Sequence, residues 1–365
     1  MSFKASAQRG FVMVAVMWVL LAMVIAVSVF AQWVQNSLQD AYAQQQELNT
    51  QIAARSAYSV ALHTRLTGQR SAYGVSATGS DTQGANDLSS LFEFDDMGAL
   101  IIQKDRVAAS ETFALDDQVW TFGDLNFVVQ DVAGLIGLTA IRHQDMVRYL
   151  LRKNPDSALR YEQFIDSYLD YQDPDSQRRP YGAETADYRL LQRSPPFNGA
   201  LRTPLQLRDV LHWETLLKPY SNGDLLYRFR VEGGLFVNVN SASKTVLALA
   251  LGDDERATAL IERRRKEPFT NVSSLYAALG QEESSFTIQP DAGIRFWWWN
   301  KDKSSAWVHE VHYDGLAAGA AALKQDWMLR VDIPQPLAQQ SRLASPWSLL
   351  GAYPDYLGRS ITDTD

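Results

Sequence analysis

Residues 11–34 read FVMVAVMWVLLAMVIAVSVFAQWV and contain no charged residue, no glycine and no proline. At a rise of about 1.5 Å per residue, a helix of this length is roughly 36 Å long. Because the hydrocarbon core of a bilayer is about 30 Å thick, one slightly tilted helix would cross it. The stretch therefore predicts a single transmembrane helix at residues 11–34.

Two other interpretations of this segment fit it less well. A buried core helix is seldom apolar on every side over such a length. A cleaved secretory signal usually has an apolar stretch of about 7–15 residues with small residues at the cleavage site, and Val29-Phe30-Ala31 is a poor site. Lys4 and Arg9 precede the segment, and positive flanking charge stays in the cytoplasm, so we expect the bulk of the chain on the opposite side.

The predicted helix does not end at the membrane. No glycine or proline occurs from Phe11 to Thr67, a run of 57 residues that would be roughly 85 Å long if all helical. Beyond the bilayer, apolar residues recur at mixed spacings near three and four among glutamines and asparagines: Leu38, Ala41, Tyr42, Leu48, Ile52, Tyr58, Val60 and Leu62. We expect one continuous helix with a lipid-facing half and a half that packs on a globular domain.

Composition and motifs narrow the function classes. The 365 residues carry a net charge of −8, which disfavours nonspecific binding of nucleic acid, and the absence of cysteine excludes disulfides and thiol catalysis. Neither a P-loop lysine pattern nor G-x-S-x-G nor a dinucleotide fingerprint occurs. His309-Glu310-Val311-His312 falls in a strand-like run, where residues i and i+3 point to opposite faces, which disfavours a shared zinc. We expect that the protein is not an enzyme.

Beyond the long helix, strand and helix patterns alternate in blocks. Strand-like runs are Leu91–Phe94, Leu100–Gln103, Val119–Phe122, Leu125–Val132, Leu225–Val231, Phe286–Trp299, Trp307–Tyr313 and Trp327–Ile333. From about Thr139 to Leu217 the apolar spacing is helical. The run Trp297-Trp298-Trp299 fits either a sheet core or a partner surface, since aromatic residues are enriched in both.

The start of the chain resembles a known family. Gln8-Arg9-Gly10 followed by Phe11 is similar to the leader of type IV prepilins, which implies that a prepilin peptidase cleaves between Gly10 and Phe11 and that Phe11 becomes N-methylated. Most members have a glutamate as the fifth residue after the cut, where this chain has Ala15. An apolar residue there resembles the K-type minor pseudopilins of type II secretion systems.

This resemblance implies an architecture. It is an α+β, pilin-like fold with a long N-terminal transmembrane helix, an antiparallel β-sheet and a large inserted α-helical domain. The expected divisions are a leader at 1–10, the N-terminal helix at 11–66, the first part of the pilin-like domain at 67–138, the helical insertion at 139–280, closing strands at 281–335 and a flexible tail at 336–365.

The resemblance also implies a function and a location. A subunit without the glutamate would fit the tip of the pseudopilus, where it would initiate and cap assembly for export of folded proteins across the outer membrane. The expected partners are other minor pseudopilins in a tip complex, the major pseudopilin, the prepilin peptidase and the inner membrane, with no nucleic acid. The chain would cross the bacterial inner membrane once, with a cytoplasmic N-terminus and a periplasmic C-terminal domain.

An acidic loop is the most chemically suggestive stretch. Residues 166–175 read DSYLDYQDPD, and Glu184 and Asp187 follow. Converging carboxylates repel one another unless a cation lies among them, and Ca²⁺ accepts irregular sets of 6–8 oxygens. The pattern alone also fits a solvated acidic loop, and Arg178 and Arg179 bring positive charge that could partly replace a metal.

The family resemblance identifies calcium as the expected ion. The K-type family has a similar acidic stretch and binds calcium there, which implies calcium as the cofactor. The positions of this chain that match the family pattern are Asp170, Asp173, Asp175 and Glu184, with Asp187 as a further candidate. The pattern leaves open whether one ion or two would bind. A membrane-tethered hydrolase that uses the same loop is a rival interpretation.

Asn238-Val239-Asn240 precedes a predicted helix pair. The segment is similar both to the K-type family and to helix-hairpin-helix DNA-binding modules, so a membrane-anchored DNA-binding protein is the alternative function. Such modules bring backbone N–H groups of a hairpin close to a phosphate. Here the hairpin position reads LGDDE over residues 251–255, and its carboxylates would repel phosphate. The asparagines fit a structural role, as turns that cap the next helix.

Overall fold

A computed structural model of the chain describes residues 9–67, 69–71, 74–76, 93–94, 100–101, 112–113, 115–138, 144–154, 159–231, 236–279, 286–290, 293–313 and 323–344. Residues 1–8 of the predicted leader and residues 345–365 of the predicted tail lie outside this part. The chain divides into two compact units, Met1–Ile52 and Ala53–Asp365.

The N-terminal helix is continuous, as predicted. Helix α1 runs from Arg9 to Thr67 without a break, so it passes through the predicted cleavage point between Gly10 and Phe11. In the first unit its large apolar side chains from Met13 to Trp33 are exposed, and α1 is long and apolar enough to span a bilayer.

The second unit contains the last turns of α1, nine further helices and fifteen strands among the described residues. The helices are α2 (Gln144–Lys153), α3 (Tyr161–Gln172), α4 (Thr185–Leu190), α5 (Trp213–Leu217), α6 (Asn222–Arg228), α7 (Lys244–Leu251), α8 (Asp254–Lys266), α9 (Val272–Leu279) and α10 (Gln335–Ala338). Two 3₁₀ helices lie at Val132–Gly134 and Pro204–Arg208.

The strands are β1 (Gln69–Ser71), β2 (Gly74–Ser76), β3 (Glu93–Phe94), β4 (Leu100–Ile101), β5 (Thr112–Phe113), β6 (Val119–Phe122), β7 (Leu125–Asp131), β8 (Ile136–Gly137), β9 (Phe229–Arg230), β10 (Val237–Asn238), β11 (Phe286–Thr287), β12 (Ile294–Asn300), β13 (Ser305–Tyr313), β14 (Leu323–Asp332) and β15 (Arg342–Ala344). Helices and strands alternate in blocks, which confirms the α+β class.

The main sheet has the order β14-β13-β12-β7-β6-β15. Its first five strands pair antiparallel, as predicted, and β15 pairs parallel with β6, so the sheet is mixed at this edge. Strand β15 and all of helix α10 except Gln335 fall in the segment predicted to be a flexible tail. The buried side chain of Leu337 and the pairing of Leu343 with Trp120 explain why these residues are ordered.

Strand alternation places the tryptophan run in two cores. Phe296 and Trp298 lie on the face of β12 that packs against α1, where the small side chains of Ala54, Ala57 and Ala61 allow a close approach. Trp297 and Trp299 lie on the opposite face, in a second cluster. All three tryptophans are buried, so they form sheet core rather than a partner surface.

The helical part has its own core, which runs from Ile136 to Ile288 and includes side chains of α2 to α9. Two short parallel pairs, β8 with β9 and β10 with β11, lie within it. The strand predicted at Leu225–Val231 is wrong for most of its length, because α6 covers Asn222–Arg228 and only Phe229–Arg230 is extended. Ser221 explains the helix, since its hydroxyl accepts from the Asp224 N–H at 3.1 Å and the Asp224 carboxylate accepts from the Ser221 N–H at 3.1 Å.

Candidate metal site

The acidic loop connects α3 to α4. Helix α3 ends at Gln172, and the backbone of the next residue, Asp173, is extended because Pro174 follows it. Helix α4 begins after Glu184, where the carboxylate of Asp187 accepts a hydrogen bond from the Glu184 N–H at 2.9 Å and caps the helix. The two helix ends bring residues 173 and 184 together, although eleven positions separate them in sequence.

Three of the five predicted ligands converge. One carboxylate oxygen from each of Asp173, Asp175 and Glu184 lies within 4.8 Å of the others, and no other group of three His, Asp or Glu side chains in the described residues meets this condition. Glu184 is 5% exposed, and neither of its carboxylate oxygens has a hydrogen-bond partner among the described residues. Asp173 Oδ1 is likewise buried without a partner there. Buried carboxylates of this kind require a positive charge.

The electrostatics of Glu184 point the same way. Burial raises the pKa of the Glu184 carboxyl, and the negative charges of Asp170, Asp173 and Asp175 raise it further. The group therefore holds its proton more tightly than an ordinary glutamate. A divalent cation would reverse this effect by favouring the ionised form.

Asn198 is a candidate ligand that the sequence did not reveal. Its side-chain amide donates to the Asp175 carbonyl at 3.0 Å, and its backbone N–H donates to the Tyr171 carbonyl at 3.0 Å. The remaining atom, Asn198 Oδ1, is buried and has no partner in the described part of the chain. Its left-handed backbone, with φ of 49°, suits asparagine better than most residues. Carbonyl oxygens of this type are ordinary calcium ligands.

Asp170 is not part of the converging group, because Arg179 holds it. Arg179 Nη1 donates to Asp170 Oδ1 at 2.6 Å, and the Arg179 N–H donates to Asp170 Oδ2 at 3.1 Å. The same guanidinium pairs with Asp173 Oδ2. These hydrogen bonds to Asp173 and Asp170 raise the pKa of Arg179, so its guanidinium stays charged.

Asp187 is also occupied elsewhere. One of its oxygens caps α4 through the Glu184 N–H, and the other pairs with Arg178 Nη1 at 3.0 Å. The side chain of Arg178 is more than half exposed, so this is a surface ion pair. Asp187 thus makes a capping contact, and Asp173, Asp175 and Glu184 remain as the converging group.

The Asn-Val-Asn segment joins the helical part to the sheet. Asp131, at the end of β7, is fully buried, and its Oδ2 accepts from Asn238 Nδ2 at 2.9 Å and from Ser241 Oγ at 2.7 Å. Asn240 donates to the Phe269 carbonyl at 2.8 Å and accepts from the Phe269 N–H at 3.0 Å. Both asparagines therefore make internal structural contacts, as predicted, but neither caps the next helix, because the Ser243 hydroxyl caps α7.

Helices α7 and α8 form a hairpin whose tip is acidic. Gly252 ends α7 in a left-handed conformation with φ of 67°. Asp253 then caps α8, accepting from the Glu255 N–H at 2.8 Å and the Arg256 N–H at 3.1 Å. A phosphate bound at the start of α8 would need the same N–H groups, so Asp253 competes with it. Arg264 in α8 donates to the Val239 carbonyl at 2.7 Å, so it too serves an internal contact.

Comparison with known proteins finds a likeness in structure. No protein-family model matches the sequence, and no curated protein matches it. Among solved structures, the fold is similar to a chain in the crystal structure of the GspK-GspI-GspJ complex from the enterotoxigenic Escherichia coli Type 2 Secretion System. The similarity covers 80% of this chain and 98% of that chain, with 15% sequence identity and a TM-score of 0.49.

Proposed function

We propose that the protein is a K-type minor pseudopilin of a type II secretion system. Helix α1 anchors it in the bacterial inner membrane, with its N-terminus in the cytoplasm and the second unit in the periplasm. After a prepilin peptidase removes residues 1–10, the chain joins other minor pseudopilins and then the major pseudopilin. It initiates and caps the pseudopilus tip during export of folded proteins.

One observation carries this proposal: the two parts of α1 have opposite surroundings. Large apolar side chains from Met13 to Trp33 are exposed, whereas Ala54, Ala57 and Ala61 are buried against the sheet. An exposed apolar surface of this size is stable only in lipid or against other apolar helices. A helix of this kind suits a subunit that moves from a bilayer into a helical bundle.

Ala15 supports a position at the tip. A carboxylate within a bilayer is costly unless it is paired, and in the resembling family its partner would be the N-terminal amine of the subunit ahead. With alanine at position 15, the chain makes no such contact, so it fits a place that no subunit precedes.

Contacts in the α7–α8 hairpin and in the acidic loop favour this proposal over a DNA-binding protein and over a hydrolase. In the hairpin, the Asp253 carboxylate occupies the first N–H groups of α8, which leaves a poor phosphate site. In the acidic loop, Asp170 is enclosed and paired with Arg179, so it is not placed to act as a base on a substrate.

We also propose that the acidic loop binds calcium. The ligands would be Asp173, Asp175 and Glu184, with Asn198 Oδ1 as a neutral fourth group. These donors fit the ion, because all are oxygens and several are buried without another partner. The ion would supply the positive charge that the loop lacks, and it would thereby fix the end of α3 against the start of α4.

Mass spectrometry of the mature N-terminus tests the pseudopilin proposal. The full-length chain would be co-expressed with a prepilin peptidase, and we expect a product that begins at Phe11 and carries one methyl group on its amine. Gly10→Leu should stay uncleaved, whereas Gln8→Ala, two positions upstream, should still be processed. A product that retains Met1, or one cut after Ala31 on the outer side of the membrane, would contradict the proposal.

Thermal unfolding with and without calcium tests the metal site. At a calcium concentration of 100 times Kd, binding stabilises the folded state by about 2.7 kcal/mol, and a chelator should remove this gain. Glu184→Gln should abolish the calcium response, whereas Glu162→Gln, an exposed carboxylate on α3, should retain it. Equal melting temperatures in calcium and chelator would refute the calcium proposal.

A further inference from the structure

The guanidinium of Arg179 lies where a bridging cation would lie. Its Nη1 contacts two carboxylates at once, Asp170 Oδ1 at 2.6 Å and Asp173 Oδ2. These acids come from the last turn of α3 and the residue that ends it. One positively charged atom between two carboxylates is the arrangement that a calcium ion produces when it bridges acidic ligands.

Asp170 needs a permanent positive partner. It is fully buried, and an unpaired carboxylate in such a place would be very costly. Gly182 closes the space beside it, since a Cβ at position 182 would overlap Asp170 Oδ2 and lie 2.7 Å from its Cγ. Arg179 supplies the partner from both its backbone N–H and its side chain.

Asp173 connects this pair to the proposed calcium site. Its Oδ2 faces Arg179, while its Oδ1 is buried without a partner among the described residues. Asp173 also belongs to the converging group with Asp175 and Glu184. Two cation positions therefore adjoin at Asp173: Arg179 fills one, and the other is lined by the unpartnered oxygens of Glu184.

We propose that Arg179 takes the place of a second divalent ion, so that this loop binds one calcium ion where its carboxylates have room for two. The inference rests on the proposed calcium site and specifies its stoichiometry. Four acids, Asp170, Asp173, Asp175 and Glu184, surround the two positions. Without the guanidinium, Asp170 and one oxygen of Asp173 would lack any cation and would form a second site.

Counting bound calcium in the full-length chain tests this proposal. Native mass spectrometry from detergent micelles, across a calcium titration, should show one ion on the wild-type chain and two on Arg179→Gln. Arg178→Gln is the matched control, because it removes the neighbouring guanidinium from an exposed pair with Asp187, and it should still bind one ion. Arg179→Lys keeps one positive charge at the position and should also bind one.

The outcomes separate the two proposals. One ion on both the wild type and Arg179→Gln would overturn the substitution of arginine for a metal, while the calcium site itself would stand. Two ions on the wild type would overturn it as well. No ion on the wild type would overturn the calcium site and this inference together. If Arg179→Gln is unfolded in chelator, its melting temperature is measured at increasing calcium concentrations. It should rise in two steps, one for each ion, and a single step would count against the proposal.

Discussion

Replacing Asp131 tests how the helical part is fixed to the sheet. Its Oδ1 accepts from the Ala133 N–H at 3.0 Å, and its Oδ2 accepts from Asn238 and Ser241. Asp131→Asn would keep the first bond but place an NH₂ group opposite the amide of Asn238. Ser241 can rotate its hydroxyl to accept, whereas the amide of Asn238 cannot reverse without losing its bond from the Asn240 N–H at 3.0 Å.

The expected loss of stability follows from the hydrogen bonds that Asp131→Asn would change. A hydrogen bond to a charged group is worth about 1.5–3 kcal/mol, and a buried donor left unpaired adds about 1–3 kcal/mol. We therefore expect Asp131→Asn to lower the free energy of unfolding by about 3 kcal/mol, which corresponds to roughly 6 °C in Tm for a large domain. Thermal unfolding of the full-length chain in detergent, monitored by circular dichroism, measures the loss.

A reciprocal change should restore the stability. In the double variant Asp131→Asn with Asn238→Asp, the new amide at position 131 donates to the new carboxylate at position 238 and to Ser241. The double variant should then recover most of the loss of about 3 kcal/mol, a coupling of the size expected for residues in contact (about 0.5–3 kcal/mol). Asp302→Asn, in an exposed turn after β12, should change little. Additive losses in the double variant would refute the contact as the cause.

Three further predictions concern the loop and the junction of α6 with the sheet. Burial and the neighbouring carboxylates raise the pKa of Glu184. In chelator, the contribution of Glu184 to the free energy of unfolding is therefore full below the usual glutamate pKa and is lost as pH rises through the raised pKa. Glu184→Gln should flatten this pH profile of Tm, and calcium should reverse its slope; an unchanged profile in the variant would contradict the assignment. Gly182→Ala should lower Tm and should weaken calcium binding at least tenfold, because its Cβ would overlap Asp170 Oδ2. Calorimetry that finds wild-type calcium affinity in this variant would show that the loop relaxes freely. Gly223→Ala should destabilise the chain by more than about 2 kcal/mol, because its Cβ would overlap the Asp332 carbonyl oxygen; hydrogen exchange should rise in β14, and unaltered protection there would count against the prediction.

The sequence predicted α1 well because a helix needs only local information. A run of 57 residues without glycine or proline leaves few alternatives, and helix α1 covers it completely. Strands β6 and β7 were predictable for a similar reason, since their apolar runs are bounded by turn residues. In such segments the local preference and the tertiary environment agree.

Helix α6 and strand β15 show where local patterns fail. The run from Leu225 to Val231 is rich in residues that suit strands, but the capping residues Ser221 and Asp224 start a helix before it. That pair was a readable signal. Strand β15 had no such signal in the sequence. Its three residues pair in parallel with β6, more than 200 positions earlier, and such a contact depends on the whole fold.

The converging acidic group was predictable as a region but not as a set of contacts. The density of acids marked the loop, and three of the five expected residues do converge. The sequence could not show that Arg179 would bond to Asp170 rather than point to solvent, as Arg178 largely does. Nor could it show Asn198, which reaches the loop from 23 positions after Asp175.

Buried charge is concentrated where the helical part meets the sheet, and this location argues for a rigid connection. Besides the Asp131 contacts, Arg295 on β12 is fully buried, pairs with Glu310 on β13 through its Nε at 2.6 Å, and donates from Nη1 to the Phe229 carbonyl at 2.9 Å. Hydrophobic packing alone would hold the parts together at lower cost, so such buried polar contacts contribute mainly orientation. Under the proposed function this orientation would matter, because α1 would hold only its own sheet within the filament. Through Asp131 and Arg295, the position of the sheet then determines the direction in which the helical part projects.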